Sequence, residues 1–240
     1  GIGSVALCQE NFQSARATNM EGTRHVMRAA GVYGSQVLLT STNAVFSGED
    51  GPYAEDAERH PINSYGKLRK NAEDIVLANG GWVVRLFLVY GWEPEGARGN
   101  WASSAVRKLQ AGEKMRVVND RWYMPTHALD AAQVVWALLG QGRREGLRSL
   151  PDRVYHAAGA DCVTLYDFIK QVAQTWQLDP SLVEPCSFDD LGDLAPRPRN
   201  SCYLQERLGE AGVEGPRGIE EGLDSMKLVS DGWIAKLLSK

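Results

Sequence analysis

Cysteine is scarce in this chain: Cys8, Cys162, Cys186 and Cys202 stand far apart among 240 residues, with no Cys-x-x-Cys pair and no histidine at zinc-finger spacing. That spacing argues against a metal site or a disulfide framework and predicts reduced, buried thiols. A basic excess is missing as well. Lys and Arg number 26 against 30 Asp and Glu, for a net charge of −4, and they are scattered along the chain, which disfavours nucleic acid as a partner. No apolar run approaches the roughly 20 residues of a membrane span, and the N-terminus lacks a charged region followed by an apolar one. The expectation is a cytoplasmic protein with no membrane association. Also lacking is a glycine fingerprint between a strand and a helix, because Gly1 and Gly3 of GIGSVAL start the sequence with no strand before them.

What is present is enough apolar material, 43% of residues, to bury a substantial core. Residues 12–31 carry apolar side chains at helical spacing, with Gly31 as the expected C-cap, and SQVLLTS follows as a buried strand. A second helix is predicted over 63–78, with Asn63 as N-cap and Gly80 and Gly81 past its end. WVVRLFLVY then reads as one apolar strand. Further along come a helix over 101–111, a short strand near KMRVV, and a helix after RWYMPTHALD with Thr126 as N-cap and Asp130 in its first turn. From residue 153 a strand (RVYHAAG), a helix (TLYDFIKQVAQTW), a Pro-rich connector and two helices follow. Continuous apolar strands alternating with helices imply an α/β fold with a parallel sheet covered on both faces. Residues 1–150 are assigned to the main domain and 151–240 to a smaller lobe closing over its site.

Ligands of open α/β sheets collect at the carboxyl ends of the strands. Thr42 ends the first strand, Tyr65 lies near the start of the next helix, and Val89 and Tyr90 end the next strand, so these places converge. Here the sequence resembles the extended short-chain dehydrogenase/reductases, in the branch of dTDP-4-dehydrorhamnose reductase and the methionine adenosyltransferase regulatory beta subunit. The matching pieces are Asn19 with Gly22 and Thr23, STNAVFSG at 41–48, PINSYGK at 61–67, RLFLVYG at 85–91, PTHALD at 125–130 and RPRN at 197–200. They keep their order from about residue 5 to about residue 225. The resemblance implies a Rossmann-like sheet and an NAD(P)-dependent reductase of a carbonyl on a nucleotide-activated sugar or similar polar substrate. Thr42 would hydrogen-bond that carbonyl, Tyr65 would protonate it, and NADP or NAD would bring the hydride. Ser41, Tyr65, Arg69, Val89 and Tyr90 would face the cofactor, and Asn43, Asn100, Arg121 and Arg197 the substrate. No metal is implied, and a homodimer is the expected assembly. The competing expectation is a regulatory or binding subunit of the same fold.

The chain departs from the family pattern in three ways. By motif order it is expected to begin after the fourth strand, without the first mononucleotide-binding half, and weak or no dinucleotide binding is expected. Leu88 replaces an aromatic residue, and Asn43 and Ala44 replace an acidic residue and a tyrosine. Arg69 stands where the family has a lysine, four residues after Tyr65, while Lys67 and Lys70 fall on other faces of the helix. A free tyrosine ionises near pH 10, so partial ionisation near neutrality takes about 3–4 kcal/mol. A positive charge about 5 Å away at an effective dielectric of about 20 contributes roughly 3 kcal/mol. Arginine can supply that charge, but its planar fork reaches ribose hydroxyls differently from an ammonium. His127 is expected at the start of its helix, and Trp101 and Trp122 in packing.

Overall fold

The computed structural model describes residues 1–140, 146–192 and 195–229. The chain opens with α1 (Val5–Glu10) and α2 (Phe12–Arg16), then a π-helical turn (Ala17–Glu21) running into α3 (Gly22–Tyr33). The helix expected over 12–31 is therefore split by a bulge centred on buried Asn19, and it ends at Gly34, in the left-handed conformation, instead of Gly31. Strand β1 (Leu38–Thr42) follows, then a long loop and α4 (Ser64–Ala78). Asn63 caps α4 as expected, its Oδ1 accepting from the Gly66 N–H at 2.8 Å. Next come β2 (Trp82–Leu86) and β3 (Val89–Tyr90). WVVRLFLVY is thus two strands, because Leu88 takes φ +41° and β3 leaves the sheet to pair with another segment.

The remaining elements are α5 (Trp101–Gln110), β4 (Met115–Val118), β5 (Trp122–Tyr123), β6 (Thr126–His127), α6 (Ala128–Leu138), β7 (Val154–Ala157), β8 (Val163–Thr164), α7 (Leu165–Thr175), β9 (Val183–Cys186), α8 (Glu206–Glu210) and α9 (Ile219–Leu228). Thr126 does not cap α6. Its hydroxyl donates to the Phe87 and Met124 carbonyls, and His127 occupies the cap position without a side-chain bond.

The main sheet is parallel in the order β1-β2-β7. Alternation along β2 sends Val83 toward Met27 and Val76 of α3 and α4, and Val84 toward Val134 and Leu138 of α6, so helices cover both faces. A second core joins α5, β4, α7, β9 and α9 around Phe168, Ile169 and Leu223. The boundary expected at residue 150 is crossed in both directions. Strand β4 pairs with β9, and β7 pairs with β2 in the main sheet. The expected lobe's last stretch, 230–240, lies outside the described residues.

The thiol expectation is half corrected. Cys8 and Cys186 are free and buried, and burial pushes both thiols up from their ordinary range. Cys162 and Cys202 form a disulfide. Sequence spacing cannot report this pairing, because it depends on the fold bringing residues 40 positions apart to a Cα separation of 6.1 Å. Among the described residues no helix is long and apolar enough to cross a membrane, and no group of His, Cys, Asp and Glu could hold a metal ion.

Candidate active site

Two cavities meet at the carboxyl ends of β1 and β2. The first, about 330 Å³, runs along Gly1–Gly3, Asn19, Thr40, Ser41, Arg69 and Val89. The second, about 640 Å³, lies beyond the ends of the sheet strands, and its mostly apolar walls include the aromatic side chains of Phe87, Trp101, Trp122, Tyr123 and Phe188. Gly3, Thr42, Tyr65 and Leu88 line both. Thr42 is there because β1 ends at it, its Oγ1 accepting from the Ala44 N–H to start a 3-10 turn. Tyr65 is there because it sits in the first turn of α4, which packs against that same turn. Gly66 makes the packing possible: a Cβ on it would stand 2.0 Å from the Ala44 carbonyl oxygen.

Arg69, one helical turn beyond Tyr65, lines the first cavity. Its Nη2 donates to the Thr40 carbonyl, and its Nε is buried without a hydrogen-bond partner among the described residues. Ser41 lines the same cavity and donates to buried Glu73 at 2.5 Å. Val89 faces this cavity but Tyr90 does not. Neighbours on a strand point to opposite faces, so Tyr90 is buried against Phe168 and His127, and burial, with Asp130 adding to it, holds its phenol well above the ordinary range. Of the two residues expected at the cofactor, Val89 alone lines this cavity.

On the substrate side, Asn43 and Arg197 line the second cavity, whereas Asn100 and Arg121 do not. Asn100 is spent on local structure: its Oδ1 caps α5, and its Nδ2 donates to the Gly91 carbonyl at 2.6 Å. Trp101, beside it, is 42% exposed and lines the cavity, against the expectation of a packing residue, and Trp122 lines it too. Arg121 stands behind the wall with its guanidinium 4.8 Å from the Phe188 ring centre. Asp120 accepts from the Ser187 hydroxyl and the Phe188 N–H, fixing the same turn.

Several side chains contribute beyond the roles their sequence positions suggested. Asn19, only 2% exposed, clamps the main chain of Ile2 through both ends of its amide. Asn63 caps the helix of Tyr65 and donates from Nδ2 to the Pro196 carbonyl at 2.9 Å, tying that helix to the segment bearing Arg197. Ser201, in the same segment, accepts from Asn43 at 2.7 Å. The cap role of Asn63 was legible in Asn63-Ser64-Tyr65; its bond to Pro196, 133 residues away, was not. Nothing local could have flagged Ser201, 158 residues from its partner.

Below the site lies a buried polar cluster. Arg85 of β2, 2% exposed, is bonded to Glu73, to the Glu55 carbonyl and to His156 Nε2 at 3.0 Å. The other nitrogen of His156 lies 3.0 Å from the Leu204 carbonyl, and its ring stacks on Tyr203 at 3.9 Å. Burial first, and the Arg85 charge second, depress the imidazole to about 3.

The family model for the RmlD substrate binding domain matches residues 4–228. A dTDP-4-keto-6-deoxy-D-glucose reductase of Streptomyces niveus is 30% identical over 204 residues, covering 83% of this chain and 67% of the relative. The beta subunit of methionine adenosyltransferase 2 from Xenopus laevis is 28% identical over 205 residues, covering 81% and 59%. A crystal structure of dTDP-4-dehydrorhamnose reductase from Bacillus anthracis in complex with NADP superposes with a TM-score of 0.85 at 24% identity, covering 95% of this chain and 78% of that one. The chain spans about two thirds of the length of the curated reductases it matches.

Proposed function

The chain belongs to the RmlD substrate-binding domain family, and from that premise we propose that it carries the reacting centre and substrate cavity of an NAD(P)-dependent reductase of a nucleotide-sugar carbonyl. The observation that carries this reading is the pair Thr42 and Tyr65 standing where the two cavities join. A carbonyl held in the larger cavity would meet two hydroxyls at the opening to the smaller one, so one can fix its oxygen and the other protonate it. Ser41, Arg69 and Val89 would hold the nicotinamide end of the cofactor along the smaller cavity, where the unpartnered Nε of Arg69 is a donor to spare. When bound, the reduced nicotinamide supplies hydride to the carbonyl carbon. Tyr65 gives the alkoxide oxygen its proton, and Thr42 orients that oxygen. The aromatic walls with Arg197 and Asn43 suit a flat or ring-shaped substrate carrying anionic groups.

The test is loss of NADPH absorbance with dTDP-4-keto-6-deoxyglucose as substrate. Tyr65→Phe abolishes turnover and leaves substrate binding within a few-fold. Full activity in that variant overturns the assignment. One observation favours a second reading, a regulatory subunit like the methionine adenosyltransferase relative: the Arg69 fork is already engaged by the Thr40 carbonyl. A parent protein that binds dinucleotide and a partner enzyme, yet turns over no carbonyl substrate, decides for that reading.

A further inference from the structure

The structure assigns a thiol-disulfide exchange site to Cys162 and Cys202, reactive toward a dithiol, whose reduction loosens the wall of the larger cavity. The bond joins two segments that both contribute to that wall. Cys202 ends the strap 196–202, which brings Arg197, Pro198 and Ser201 to the cavity, and Cys162 precedes β8 and Leu165, also in the lining. Strand β5 runs between them: Trp122 pairs with Thr164 on one side and bridges to Asn200 on the other, and Tyr123 pairs with Val163. With their Cα atoms 6.1 Å apart, Cys162 and Cys202 tie the segment entering β8 to the strap, the two segments that pair with β5. Two of the cavity's aromatic residues, Trp122 and Tyr123, form the strand that pairs with both segments.

The two sulfurs differ in access. Cys162 is exposed and Cys202 is 2% exposed, within the cluster of Phe46, Phe87 and Tyr203. A thiolate of the reductant therefore attacks Cys162 Sγ, forming a mixed disulfide and expelling the Cys202 thiolate, which takes up a proton. The reductant's second thiol then attacks its own sulfur in the mixed disulfide and releases Cys162 as a thiol. Two electrons and two protons pass to the protein, and the dithiol becomes a cyclic disulfide. After reduction the strap keeps its main-chain bonds to Tyr53, Gly48 and Trp122 and the side-chain bonds from Asn43 and Asn63. It stays in place but loses its covalent tie to the small lobe, so looser binding and not unfolding is the consequence.

The ligand half of this inference rests on the proposed nucleotide-sugar site, and the experiment separates the two. Native protein is treated with dithiothreitol, and thiols are counted by alkylation and mass. Hydrogen exchange of peptides covering 162–166 and 196–204 is followed, and binding of dTDP is measured by calorimetry, for the parent and Cys162→Ser. Reduction under native conditions yields two new thiols, faster exchange in both peptides and at least threefold weaker dTDP binding, and Cys162→Ser matches the reduced parent and ignores the reductant. Four free thiols before any reductant, a bond that opens only after denaturation, or exchange unchanged by reduction each overturn the exchange site. Faster exchange in a parent that never binds dTDP leaves the site standing and counts against the nucleotide-sugar reading alone.

Discussion

Replacing His156 by glutamine should remove a large part of the acid sensitivity of the fold. The tautomer is fixed by the partners: the Leu204 carbonyl can only accept, so Nδ1 carries the proton, and the Arg85 guanidinium can only donate, so Nε2 stays bare. A second proton would face a guanidinium inside the core. The folded value near 3 lies below the roughly 6.5 of an unfolded histidine. The stabilising effect is therefore complete above about pH 6.5 and is lost as pH falls toward 3, because only the unfolded chain takes up the proton. Between pH 7 and 5 this single group removes about 2 kcal/mol of stability. For a chain of this size, that corresponds to roughly 4–8 °C in melting temperature. The assay is urea denaturation of the parent and His156→Gln at pH 7 and pH 5, read as the difference of differences, which cancels the carboxylates and His127. Glutamine keeps a donor and an acceptor, so the variant should lose some stability at pH 7 yet show a pH dependence shallower by about 2 kcal/mol. An equal dependence in both proteins, or an imidazole seen by NMR to titrate near 6.5 in the native state, refutes the reasoning.

Arg69→Lys should keep most of the reductase rate but change the KM for the dinucleotide, whereas Arg69→Met should cost roughly 100-fold in kcat, the rate equivalent of about 3 kcal/mol of charge support. Steady-state kinetics separates the two. Gly66→Ala should destabilise the protein by about 2–3 kcal/mol or displace α4, since its Cβ would meet the Ala44 carbonyl, and thermal melts with a substrate KM will show it. Phe188→Ala and Arg121→Met should raise substrate KM together and add less than their sum when combined, because the arginine acts through the ring it lies over. Additive effects would place Arg121 on the substrate itself. Asp130→Asn should weaken the anchoring of the segment before α9, where the carboxylate, held below its ordinary range against its burial by Arg217, accepts from the guanidinium and the Arg217 N–H. Faster hydrogen exchange of residues 217–228 is the expected sign.

The sequence by itself determined what depends on near neighbours. The α/β alternation, the Asn63 cap of the helix bearing Tyr65, and Thr42 at the end of β1 follow from periodicity, local hydrogen bonding and strand ends, each set within a few residues. Ordered motifs carried the family, because motif order survives where single residues are ambiguous. Which side of a strand each residue faces is also local, and it separates Val89, on the cavity, from buried Tyr90. Tertiary structure decided everything that needed distant segments in one place. Asn43 meets Ser201, Asn63 meets Pro196, and Cys162 meets Cys202 only after the chain from 195 to 204 has returned across β5 and the Tyr53 loop. The pairings of β4 with β9 and of β7 with β2 likewise join distant segments, for which a sequence has no local marker. Polar residues such as Asn100 and Arg121 look alike in sequence whether they cap a helix, back an aromatic ring or face a substrate. The difference lies in what the fold places within about 3 Å of them.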